Sequence, residues 1–97
     1  MRRVLVCGGR DYTDSRRVWE ELDALRGVRC IIEGGARGAD SFARAWANSE
    51  NVPIVQFPAN WKKYGKAAGP LRNQRMLDEG KPDLVLAFPG GKGTADM

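Results

Sequence analysis

The chain has 97 residues, enough for one domain with a single core but short for a complete doubly wound sheet. Hydrophobic residues at 42% and charged ones at 29% fit a soluble globular protein, with no apolar run long enough to span a membrane and no signal-peptide pattern after Met1-Arg2-Arg3, so a cytoplasmic location is expected. The net charge of +4 favours anionic partners only weakly, and the absence of histidine leaves carboxylates, tyrosine, arginine or the substrate itself for any catalysis.

Val4 to Cys7 is a short apolar run closed by Gly8-Gly9, the pattern of a buried parallel strand ending in a tight loop. Thr13, Asp14 and Ser15 are candidate N-caps for a helix with Val18, Leu22 and Leu25 on its apolar face, Trp19 beside them and Gly27 as the stop. Val28 to Glu33 reads as a second strand, closed by Gly34-Gly35. A second helix is predicted from about Ala39 to Asn48, with Phe42, Ala43 and Trp46 turned inward. Val52 to Phe57 reads as a third strand. Pro58 to Gly69 is the longest irregular segment, of a length that often forms a functional lid. Pro70 suits the first position of a third helix, which takes Met76 and Leu77 into the core and ends at Gly80, with Pro82 just beyond. Leu84 to Phe88 is the fourth strand, and it runs into Pro89-Gly90-Gly91-Lys92-Gly93-Thr94. Cys7 and Cys30 fall in strands without metal-ligand spacing, so buried reduced thiols are expected and no metal site.

Strands alternating with helices imply an α/β fold, a parallel sheet of about four strands with right-handed crossovers and helices on both faces. The Rossmann-like order 3-2-1-4 is expected, in one domain spanning residues 1–97. That order reverses between the first and fourth strands, and ligands bind at the carboxyl ends of strands at such a reversal. The loops at Gly8-Asp11, Gly34-Gly38 and Pro89-Thr94 then share one edge. The helix opened by the last glycine loop has barely begun at Met97, so the C-terminal helix and strand of a fuller sheet are expected to be missing here, or a neighbouring subunit to cover the exposed edge.

Four motifs carry chemistry at that edge. In Gly8-Gly9-Arg10-Asp11-Tyr12, Arg10 is placed to hold phosphate and Asp11 to accept from ribose hydroxyls, or the two form a surface ion pair on a plain turn. Gly34-Gly35-Ala36-Arg37-Gly38-Ala39-Asp40 sets one arginine among small residues, exposing that side chain and the backbone amides to the same space; Asp40 is either a helix cap or a ligand contact. It is not the dinucleotide G-x-G-x-x-G fingerprint, and the Walker A pattern is missing throughout, since Lys92 is followed by glycine. Gly69-Pro70-Leu71-Arg72-Asn73 puts a cation in the first turn of a helix, where the dipole disfavours it unless an anion is near. Gly90, Gly91 and Gly93 let the backbone approach a ligand, with Thr94 at a helix start, where free N–H groups face an anion. Trp61-Lys62-Lys63-Tyr64 mixes aromatic and basic residues, either to stack a base and hold a phosphate or to pin the loop onto the sheet.

In this order, Gly8-Asp11, Gly34-Asp40, Ala68-Asn73 with Met76, and the last strand with its Pro89-Thr94 loop resemble the SLOG superfamily of Rossmann-like nucleotide-ligand binders, most closely its YspA-related branch. The resemblance covers essentially the whole chain. It implies a nucleotide-binding site made of Gly8, Gly9, Arg10, Asp11, Gly34, Gly35, Arg37, Gly38, Arg72, Asn73, Pro89, Gly90, Gly91, Gly93 and Thr94, with no cofactor and no assigned catalytic residue. Arg72 and Met76 also match the helix that precedes the phosphate loop of LOG-type phosphoribohydrolases, which implies a hydrolase acting on N-glycosidic or phosphoanhydride bonds as an alternative. Where those enzymes carry a glutamate three residues after the threonine, this chain has Met97, with Asp96 one residue early. The DprA family has segments similar to Gly34-Asp40 and Pro70-Asn73, which implies single-stranded DNA as a further partner, held by Arg37, Arg72, Lys62 and Lys63 with Trp61 or Tyr64 for stacking.

Overall fold

The computed structural model describes residues 1–88, so the Pro89, Gly90, Gly91, Gly93 and Thr94 positions and the expected helix start lie outside the described residues. The first strand, β1 (Arg2–Gly8), sets the architecture. Side chains alternate across a strand, yet Val4, Leu5, Val6 and Cys7 are all buried, so both faces of the sheet must be covered. Val4 and Val6 enter one core cluster and Leu5 and Cys7 another. The second strand, β2 (Val28–Glu33), repeats this with Ile31 on the first side and Cys30 and Ile32 on the second.

The first face is closed by α1 (Ser15–Asp23), through Val18 and Leu22, and by α2 (Ala39–Ser49), through Ala39, Ala43, Trp46 and Ala47. Trp46 Nε1 also donates to Asp23 Oδ1 at 2.8 Å, tying the two helices together. After β3 (Ile54–Gln56) comes a single turn, α3 (Trp61–Tyr64), then a short 3₁₀ segment (Gly65–Ala67) and α4 (Ala68–Asp78). Met76 of α4 closes the second face with Leu5, Ile32 and Phe57. With β4 (Leu84–Phe88) the sheet is parallel throughout and ordered β3-β2-β1-β4, in the register Val4↔Leu84 and Ile32↔Val55. This is the Rossmann-like arrangement expected from the sequence. Among the described residues no helix is long and apolar enough to cross a membrane.

Element boundaries differ from expectation where a local bond overrides the apolar pattern. The third strand starts late because Val52 N donates to Ala47 O, the end of α2, at 2.8 Å, which ties that residue outside the ladder. At its other end Phe57 N still donates to Glu33 O at 2.9 Å, but regular pairing stops at Gln56. The first helix ends at Asp23, short of Gly27, which serves instead as the positive-φ residue (+65°) of the turn into β2. The last helix begins at Ala68, so Pro70 is its third residue, still in the first turn, where a missing N–H costs nothing. Leu77, expected in the core, is 46% exposed: its neighbour Met76 faces the sheet, and one residue further round the helix points outward. The segment expected as an irregular lid contains α3, whose N-cap Asn60 accepts from Lys63 N at 3.1 Å.

Gly38 shows how tightly the loops are keyed to one another. It has φ +76°, and a Cβ there would collide with the Gly9 carbonyl oxygen. Gly38→Ala is expected to lower the unfolding free energy by about 1–3 kcal/mol, the cost of a strained backbone residue. Urea denaturation measures it, and an unchanged midpoint would show that the two loops are not packed this way.

Candidate functional site

The carboxyl end of β2 carries a charge that has no business in a core unless it is satisfied. Glu33 is fully buried, and its carboxylate accepts four bonds. Oε1 takes Gly35 N at 2.6 Å and Arg44 Nη2 at 3.1 Å, and Oε2 takes Arg44 Nε at 3.2 Å and Gln56 Nε2 at 2.8 Å. A second buried carboxylate, Asp40 in the first turn of α2, accepts from Gly34 N at 2.9 Å and Ala36 N at 3.3 Å. Three consecutive loop amides are thus held by the protein's own carboxylates. The expectation that these amides face the ligand space is corrected accordingly. Asp40 is not the helix cap either, since Gly38 holds that position without a side-chain bond. Among the described residues no buried side-chain polar atom lacks a partner.

Arg72 is fixed from the opposite side. Its Nη1 donates to Gly34 O at 2.6 Å and its Nε to Asn73 Oδ1 at 2.8 Å. Its guanidinium lies so close over Gly34 that a Cβ there would collide with it. Because α4 starts at Ala68, Arg72 sits beyond the first turn, and the dipole argument for an anion at this residue does not apply. The guanidinium is held instead by a carbonyl and an amide oxygen, both neutral, so its charge is retained.

Arg10, from the loop after β1, lies with its Cζ 5.0 Å from the centre of the Trp61 ring, within cation–π range. Arg10, Arg37, Arg72 and Trp61, with Gly34, Gly35, Ala36, Pro58 and Ala59, line an open cleft of about 320 Å³ over the ends of β1, β2 and β3. Among the described residues no carboxylate lines this cleft. Three arginines therefore line one space that holds no described carboxylate, with the charge of Arg72 also felt by the buried Asp40 behind the loop. Other expected site residues support it without lining it. Gly8 is pressed between Ala39 and Phe88, Gly9 and Gly38 pack loop against loop, and Asn73 orients Arg72. Asp11 is exposed and does not line the cleft.

Pro58 and Ala59 are not among the expected site residues, and Trp61 is expected there only as one of two readings of its segment. The signal for Trp61 was there: an aromatic residue beside two lysines in the longest loop of the ligand edge. Cys7, buried close by, is an inert thiol whose pKa is pushed up to about 11 by burial, with the charge of Asp40 adding to the effect. Among the described residues no cluster of histidine, cysteine or carboxylate side chains is placed to hold a metal.

Residues 2–64 match the family model described as YspA, cpYpsA-related SLOG family. The chain belongs to that family. It is also similar to the Gene 61 protein of Mycobacterium phage D29, 42% identical over 104 residues, which cover 97% of this chain and 82% of that protein. No solved structure matches it. The family match to this SLOG domain runs from β1 through Trp61, and so takes in Arg10, Arg37 and the two buried carboxylates.

The pH response of Asp40 tests this loop. Burial raises its carboxyl above the usual value, against the opposing pull of the Ala36 and Gly34 amides and of Arg72. A raised folded pKa means that the folded state holds the proton longer. The stability that Asp40 contributes is then greatest in acid and declines as pH rises from about 4, the ordinary carboxyl value, through the folded one. Asp40→Asn, which keeps an acceptor oxygen, is expected to gain stability relative to the wild type over that window, whereas Asp40→Ala loses about 1–3 kcal/mol at every pH by leaving amides unpaired. Denaturant titrations from pH 4 to 8 measure both, and parallel curves for wild type and Asp40→Asn would contradict the assignment.

Proposed function

We propose that this SLOG domain binds a nucleotide or nucleotide-derived small molecule at the carboxyl edge of its sheet, as a sensor, carrier or sequestering protein of the cytoplasm. The observation that carries this is the convergence of Arg10, Arg37 and Arg72 on one cleft that no carboxylate lines among the described residues. Guanidinium groups match phosphate oxygens bidentately and keep their charge at any physiological pH. Arg72 is the most preorganised of the three, since Gly34 O and Asn73 already hold its fork. SLOG membership supports a nucleotide-type ligand in general. The glycines and threonine between residues 90 and 94 follow β4 in sequence, and we assign them the remaining phosphate contacts; Asp11, exposed beside Arg10 at the rim, is assigned the sugar, while Gly8 and Gly9 only support the loop.

Thermal unfolding in the presence of AMP, ADP-ribose, NAD or a short single-stranded oligonucleotide tests the reading. A nucleotide is expected to raise the melting temperature. Arg37→Ala, at an exposed position, is expected to weaken that ligand about tenfold or more while leaving the unliganded melting temperature unchanged, as the loss of one charge-assisted contact requires. Stabilisation by none of the mononucleotides or dinucleotides at millimolar concentration would overturn the proposal. An oligonucleotide response that fades steeply with salt would replace it with single-stranded DNA binding.

A further inference from the structure

We infer that Trp61 is the ring-stacking platform of this site and that the ligand's aromatic base takes the place of the Arg10 guanidinium on its face. The inference rests on the nucleotide reading above and narrows it to ligands that join a flat ring to a nearby phosphate. Trp61 is 47% exposed, an unusual position for so large an apolar ring, and its exposed part borders a cleft otherwise rich in cations. The ring also has one edge against α4. Its edge packs over Gly69, where an added Cβ would lie 3.3 Å from Cη2, and its backbone opens a turn capped by Asn60. A rigid aromatic side chain at a cleft wall stacks a base with little ordering cost.

What lies on that face supports the same conclusion. The guanidinium of Arg10 is planar and delocalised, as a base is, and it lies over the ring rather than in an ion pair with a carboxylate. Arg10 belongs to the loop after β1 and is exposed, so its side chain can swing without disturbing the core. An exposed cation–π contact is a weaker interaction than a base stacked on an aromatic ring, so the exchange is downhill. Once displaced, Arg10 is a third cation free to meet the phosphate that Arg37 and Arg72 already face. Ring and phosphate recognition are thereby coupled through one side chain. A cleft of about 320 Å³ lies within the range of ligand-site sizes.

Calorimetric titration of AMP, adenosine and ribose 5-phosphate against wild type, Trp61→Ala, Trp61→Phe and Arg10→Ala tests the assignment. The wild type is expected to bind AMP at least tenfold tighter than ribose 5-phosphate. Trp61→Ala should bring AMP down to the ribose 5-phosphate level while leaving ribose 5-phosphate itself within about twofold, and Trp61→Phe should retain most of the preference. Arg10→Ala should weaken AMP but bind adenosine at least as well as the wild type, because the competitor for the ring is gone. AMP should also quench tryptophan fluorescence in the wild type and not in Trp61→Phe, where the other tryptophans remain. Equal affinity for AMP and ribose 5-phosphate, or equal losses of both in Trp61→Ala, would overturn the stacking role and leave the phosphate site standing. Binding of neither compound would overturn the nucleotide reading, and the stacking role with it.

Discussion

Two carboxylates buried at the end of the second strand hold the working edge of this protein together. Glu33 joins its own loop, α2 through Arg44, and β3 through Gln56; Asp40 ties the start of α2 back onto the amides of Gly34 and Ala36. Arg72 then docks α4 onto the same loop through the Gly34 carbonyl. Three elements thus meet at a few residues of one turn. Removing one partner of such a network leaves a buried charge or donor unpaired, which costs far more than the bond itself contributes. The loop is therefore rigid without any ligand.

On the function proposed above, that rigidity decides how an anion is recognised. In many glycine loops the backbone amides receive the phosphate. Here the amides of Gly34, Gly35 and Ala36 already have anionic partners supplied by the protein, Asp40 for the first and third and Glu33 for the second. What the loop offers outward is its lack of bulk, which admits Arg72, and the side chain of Arg37. The same turn thus absorbs its two negative charges inward and leaves the positive ones facing the cleft. We therefore assign recognition to guanidinium side chains over a small backbone surface, and Trp61 adds the only large aromatic surface among the described cleft residues.

Most of the fold was legible because each strand is an apolar run closed by glycines or a turn, and the second and fourth strands, Val28–Glu33 and Leu84–Phe88, match the expected limits residue for residue. Legibility failed where the deciding partner was distant in sequence. Glu33 reads as a polar strand end, and nothing local shows that Arg44 and Gln56 converge on it. Asp40 reads as a cap because aspartate is favoured at such positions, yet Gly38, at a positive φ that suits glycine, takes that position and leaves the carboxylate for the loop. The start of α4 was misplaced for a related reason: Ala67 precedes it with no side-chain cap, so only Pro70 gave a signal, two residues late. Trp61 reads from the sequence as either pinning a loop or stacking a ligand; its edge lies against Gly69, which fits the first task, and we assign the face that Arg10 covers to the second.

The claim on which the rest stands is that the loop after β2 is satisfied from within. Amide hydrogen exchange at Gly34, Gly35 and Ala36, followed by NMR in the free protein and with AMP, addresses it directly. The account predicts slow exchange at all three before any ligand is added and little change afterwards, with the ligand-induced shifts falling on the side-chain Nε–H groups of Arg10, Arg37 and Arg72. Fast exchange in the free protein that becomes slow with AMP would show instead that the phosphate, and not Glu33 and Asp40, is the partner of those amides.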